Sequence, residues 1–103
     1  MNVVKDGVTG RICNNGWSLA ETNVTCRQLG YRGGVPYSHP ALDTKPVILS
    51  NISCTGKEAS LNQCMTTKWG DAYRCRSDLW EAGVVCYNQC NELIIYAILG
   101  PSL

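Results

Sequence analysis

Phenylalanine is absent, histidine occurs once, and no uninterrupted apolar run exceeds seven residues. Neither sign of charge dominates, since nine Lys and Arg against eight Asp and Glu leave +1. Each shortage excludes something. The longest apolar run, Leu93 to Leu99, cannot cross a bilayer, which takes about 20 residues. A domain that holds nucleic acid usually carries a basic stripe and a high pI, so no such partner is expected. With one histidine, a Ser-His-Asp triad would have to use His39, beside Pro40 in a stretch without an activated nucleophile. His39 therefore reads as an exposed loop residue. Arg32-Gly33-Gly34 lacks the flanking strand, helix and lysine of a phosphate-cradling loop. No enzyme is expected. Met1 to Gly7 contains no apolar segment like that of a secretory leader, so the chain reads as a piece of a longer secreted or membrane-anchored protein.

Cysteine is abundant by contrast. Seven occur, at positions 13, 26, 54, 64, 75, 86 and 90. Zinc ligands usually come in pairs two to four residues apart, because one tight turn aims both at the metal. No C-x-x-C occurs here, and the first six cysteines are separated by 12, 27, 9, 10 and 10 residues. That scatter suits disulfides formed in an oxidising compartment. Spacing alone leaves their pairing open. Asn23-Val24-Thr25 and Asn51-Ile52-Ser53 are both N-glycosylation acceptor triplets, which points the same way.

Along the chain, residues 2–13 read as a hairpin turning at Asp6-Gly7. Ser18-x-x-Glu21 is a capping box that opens a helix over about 19–29, with Ala20, Val24, Cys26 and Leu29 toward one side. Gly30 stops it. Residues 32–46, with two glycines and three prolines, read as a long loop. Val47-Ile48-Leu49 is a short buried-strand candidate, and 57–63 reads as about two helical turns. Residues 65–81 are irregular, and Gly83-Val84-Val85-Cys86 reads as a closing strand. The tail at 87–103 carries Cys90 and the apolar run, and reads as an added strand or a disordered extension. Such a core is thin, so covalent staples must supply much of the stability. A bridge closing about 60 residues contributes on the order of 4 kcal/mol on chain-entropy grounds.

Several stretches resemble one family. They are Gly16-Trp17, Asn23-Val24-Thr25-Cys26-Arg27-Gln28-Leu29-Gly30-Tyr31, and Ile52-Ser53-Cys54-Thr55-Gly56-Lys57-Glu58-Ala59-Ser60-Leu61-Asn62-Gln63-Cys64. Trp69-Gly70 and Glu81-Ala82-Gly83-Val84-Val85-Cys86 complete the set. In order and spacing, over about 3–86, they resemble the scavenger receptor cysteine-rich domain. Tyr31 stands where the eight-cysteine type has a cysteine, and none precedes Cys13, so the chain looks like the six-cysteine type. The resemblance implies an α+β fold, a small disulfide-stapled domain. A short curved β-sheet would pack on one main helix, with a second short helix and long loops. It also implies bridges Cys13–Cys75, Cys26–Cys86 and Cys54–Cys64, leaving Cys90 free or paired with another chain. The domain would span 1–86, with 87–103 a C-terminal extension. The family usually begins with a further strand and has tryptophan where Thr9 stands, so the first strand is expected to be missing.

Function follows from the resemblance as an expectation: an extracellular module that binds protein or polyanionic ligands. The alternative is an accessory domain of a larger secreted enzyme, a serine protease or an amine oxidase of the lysyl oxidase type. Many members hold a divalent cation with two aspartates after the first cysteine and a glutamate before the closing Ala-Gly. Here Asn14 and Asn15 follow Cys13, and Trp80 takes the glutamate position, with Glu81 and Asp78 nearby. Calcium needs converging anionic oxygens, so this degenerate site is expected to hold no metal and the domain no cofactor. Lys68, Trp69, Arg74 and Arg76 are the candidate ligand contacts. Arg74 and Arg76 alternate about Cys75, and arginine pairs bidentately with sulfate, phosphate or carboxylate. A solvated loop neutralised by Asp71 and Asp78 is the plainer reading of that stretch. Trp17 and Trp80 read as core.

Overall fold

The computed structural model describes residues 1–5, 7–40, 45–50, 52–64, 80–88, 93–96 and 99–102. Strand β1, Asn2–Lys5, runs antiparallel to β2, Val8–Ile12, with Lys5 opposite Val8. Gly7 turns the hairpin at φ 80°, a left-handed value that glycine adopts without a Cβ penalty. Helix α1, Leu19–Gln28, starts at Ser18 as expected. Its stop is Gly30, at φ 97°. The helix buries Glu21, Thr22, Val24, Thr25 and Cys26. The expected apolar side is therefore only partly right, for Ala20 is half-buried and two threonines take the inner face.

The expected loop at 32–46 is largely a strand. β3, Gly33–Pro40, pairs antiparallel with β5, Trp80–Tyr87, over eight residue pairs from Gly33↔Tyr87 to Pro40↔Trp80. Proline is tolerated because β3 is the edge of its sheet. Gly34 turns its N–H away from β5, to Asn23 Oδ1. Pro36 and Pro40 share that parity, so their missing N–H groups remove nothing from the ladder. The glycines have a second reason. A Cβ on Gly34 would fall inside contact distance of Cys26 Sγ and the Val85 carbonyl.

β4, Val47–Leu49, is the buried strand expected and lies parallel to β2. The expected two helical turns at 57–63 reduce to a 3-10 turn at Leu61–Gln63. The preceding residues form a separate turn, in which the Glu58 carboxylate accepts the N–H groups of Thr55 and Gly56 and Gly56 has φ 100°.

β6, Leu93–Tyr96, pairs antiparallel with β5, and β7, Leu99–Ser102, pairs parallel with β1. The tail thus supplies strands, one to each of two sheets ordered β4-β2-β1-β7 and β3-β5-β6. The sheets meet where Cys13 bridges antiparallel to Glu81. Helix α1 packs on β3 and β5. Between them lies an aliphatic and cysteine core including Val3, Ile12, Val24, Leu49, Leu61 and Val84, with Trp17 and Tyr31 packed at its margin.

Candidate functional site

The covalent frame comes first. Cys26 and Cys86, both fully buried, are bridged with Cα atoms 5.5 Å apart at a sequence separation of 60. Cys54 and Cys64 form a second bridge with a Cα separation of 4.7 Å. Cys13 is also disulfide-bonded, and Cys75, its expected partner, lies outside the described residues with Cys90. Cys54, Cys64 and Glu58 put their side-chain ligand atoms within 4.8 Å of one another. Both sulfurs are spent in a bridge, so this cluster is no thiolate metal site.

Glu21 is the residue whose role the motif understated. Its Oε1 accepts the Ser18 backbone N–H at 2.8 Å, which is the capping box. Its Oε2 accepts the Cys54 N–H, also at 2.8 Å. One buried carboxylate therefore ties the start of α1 to the second disulfide. A partner 33 residues away leaves no local sequence signal.

The junction of the two sheets gathers the ionisable groups. His39, read as an exposed loop residue, is 3% exposed. The β3–β5 register places it opposite Glu81, which is why it is enclosed. Its Nδ1 lies 2.8 Å from the Pro40 carbonyl and 3.8 Å from Glu81 Oε1. A carbonyl can only accept, so Nδ1 carries the proton and donates. The Met1 amino group sits 3.3 Å from Glu81 Oε2 and donates to the Ala82 carbonyl at 2.8 Å. The Glu81 carboxylate is thus engaged at this junction. Asn14 and Asn15 are half-buried beyond Cys13, where the Asn14 carbonyl accepts the Trp17 N–H.

Away from that junction the β3–β5 pair leaves large side chains exposed. Trp80, expected in the core, is 45% exposed at the first position of β5, although it has the parity of the buried Ala82, Val84 and Cys86. Val35, Tyr37 and Tyr87 are exposed as well. Their register, Val35↔Val85, Tyr37↔Gly83 and Gly33↔Tyr87, sets all three on one face of the β3–β5 pair. The sequence reading missed this face because it took β3 for a loop. The expected cationic contacts Lys68, Trp69, Arg74 and Arg76, with Asp71 and Asp78, lie outside the described residues. So does Asn51, whereas Asn23 is half-buried on α1.

A family profile for the scavenger receptor cysteine-rich domain matches residues 1–87. The chain belongs to that family. Lysyl oxidase homolog 4 of Bos taurus is 36% identical over 92 residues, covering 86% of this chain and 12% of the relative. The human protein of the same name is 32% identical over 90 residues, covering 84% and 12%. The chain therefore spans about an eighth of the curated relatives it matches. Among solved structures, the dimeric form of the SRCR domain of mouse MARCO superposes with a TM-score of 0.75 at 32% identity, covering 84% of this chain and 82% of that one. The third SRCR domain of murine neurotrypsin gives 0.63 at 32% identity, covering 82% and 80%. The α+β fold expected of an SRCR domain is the fold observed. As a member of this family the domain is a non-catalytic interaction module of extracellular proteins. Among the described residues, no helix is long and apolar enough to cross a membrane.

Proposed function

We propose that this SRCR domain is an extracellular recognition module whose ligands are proteins or polyanions. The observation that carries the reading is the family match across residues 1–87. In the sequence, the polyanion contacts are Lys68, Trp69, Arg74 and Arg76. Two arginines with aromatic neighbours suit sulfate or phosphate groups. Asn14 and Asn15 supply no carboxylate, so recognition proceeds without calcium. The exposed side chains Val35, Tyr37 and Tyr87 support a protein ligand, because exposed tyrosine on a rigid sheet is a common anchor at interfaces. Cys90 is left to a free thiol or to a partner chain.

Retention on a sulfated polysaccharide matrix tests the polyanion site. Ionic contacts are screened over a Debye length of about 8 Å at physiological salt, so retention should fall as salt rises. Replacing Arg74 and Arg76 together with Ala should abolish retention, while Lys5→Ala should leave it unchanged. Circular dichroism and peptide mapping must show both variants folded with intact bridges. A folded double variant that binds like the parent removes Arg74 and Arg76 from the site.

A second reading is favoured by the relatives. The domain would serve as an accessory or positioning unit of a larger lysyl oxidase-like protein. Transcript sequence on either side of residues 1–103 decides it, since an amine oxidase domain in the same reading frame is either encoded there or not.

A further inference from the structure

Asn23 opens the triplet Asn23-Val24-Thr25, and the fold puts the atoms of that triplet in opposite situations. Asn23 Oδ1 accepts the Gly34 N–H at 3.2 Å, on the side of β3 turned away from β5. Among the described residues its Nδ2 has no hydrogen-bond partner. Among those residues Asn23 Nδ2 is not one of the enclosed side-chain atoms that lack a partner, so it reaches solvent. The Thr25 hydroxyl does not. Thr25 is 0% exposed, and its Oγ1 donates to the Glu21 carbonyl at 2.9 Å.

The acceptor nitrogen is therefore open while the hydroxyl that completes the triplet is sealed. A transferase that must reach both can work only on a chain whose helix α1 has not yet packed. Packing is locked by the residue next to Thr25, for Cys26 is bridged to Cys86. Asn23 leaves the ribosome well before Cys86, which opens an interval for modification. The product suits the fold, because a glycan on Nδ2 leaves Oδ1 as an acceptor for Gly34. Gly33 also leaves room, since a Cβ there would meet Oδ1 at 3.0 Å.

We propose that Asn23 is an N-glycosylation site filled only before α1 packs, in competition with closure of the Cys26–Cys86 bridge. This rests on the extracellular reading above. In the transfer, Asn23 Nδ2 bonds to the anomeric carbon of an oligosaccharide carried on a lipid diphosphate. The bond from that carbon to the diphosphate oxygen breaks, and the lipid diphosphate leaves with the electron pair. The amide nitrogen gives up one proton to a base of the transferase. Nothing is oxidised or reduced. The sugar then stands beside the outer edge of β3.

Translation of the full chain into microsomes, with and without a mild reductant, tests this. Occupancy is read by peptide mass and bridge formation by non-reducing electrophoresis. Asn23 should be partly glycosylated under oxidising conditions and nearly fully under reducing ones. Asn23→Gln should lose that glycan, and Thr25→Ser should keep it. Oxidised, refolded chain offered to the same membranes should remain unmodified, while reduced chain is modified. A chain that forms its bridges but leaves Asn23 bare in both conditions overturns the inference and spares the extracellular reading. Equal modification of folded and reduced chain overturns it as well.

Discussion

At the scale of single residues, polar atoms hold together what a small core leaves loose. Glu58 is the clearest case. The backbone N–H of Thr55, helped by the Thr55 hydroxyl and the Gly56 N–H, holds its carboxyl down at about 2, against an ordinary 4.5. Hydrogen bonds to the charged form favour that form. A depressed carboxylate contributes stability that is fully present above pH 4.5 and fades as pH falls toward 2. A carbon-detected NMR titration should therefore place the Glu58 midpoint near 2, and Glu58→Gln should flatten this part of the acid dependence. A midpoint at the ordinary value would mean that the turn does not hold the carboxylate. Gly34 was equally visible in the sequence, yet only as a loop residue. Its requirement comes from Cys26 and Val85 crowding one backbone position from two different elements.

Elements show the same division between local and distant causes. The hairpin, helix α1 and β4 were legible because each is set by its own few residues: a turn glycine, a capping box, a run of aliphatics. β3 was not, because its glycines and prolines describe an exposed edge, and only pairing with β5, 40 or more residues on, makes it a strand. The burial of His39 and the exposure of Trp80 were lost with it. At the start of α1 the capping box was legible and the Cys54 contact was not, though one carboxylate makes both. Glu21→Ala would strand the part-buried N–H groups of Ser18 and Cys54. Leaving a buried donor unsatisfied costs about 1–3 kcal/mol. Urea unfolding should show a loss of about 2 kcal/mol or more, with Glu21→Gln milder because its amide oxygen still accepts one N–H. If Glu21→Ala costs no more than about 1 kcal/mol, the size of losing one cap, then the tie to Cys54 is not structural.

For the whole molecule, the question is which constraint keeps two small sheets and one helix together. The bridge Cys26–Cys86 ties α1 to β5 across 60 residues, whereas Cys54–Cys64 closes only 10. On chain-entropy grounds the longer loop is worth about 4 kcal/mol and the shorter about 3 kcal/mol. Packing separates them further. Cys26 and Cys86 are fully buried in the core beside Gly34, while Cys54 only borders it. Replacing two core sulfurs with alanine adds a cavity cost to the lost constraint. A small domain commonly has about 5–15 kcal/mol in all, so the longer bridge carries a large share. The double variant Cys26→Ala, Cys86→Ala should therefore be unfolded or nearly so at 37 °C. Its counterpart at Cys54 and Cys64 should stay folded with a lowered melting temperature. Calorimetry and near-ultraviolet circular dichroism of the two double variants check this ranking. The reverse order would mean that the Glu21–Cys54 corner, rather than the α1–β5 staple, is the keystone of the fold.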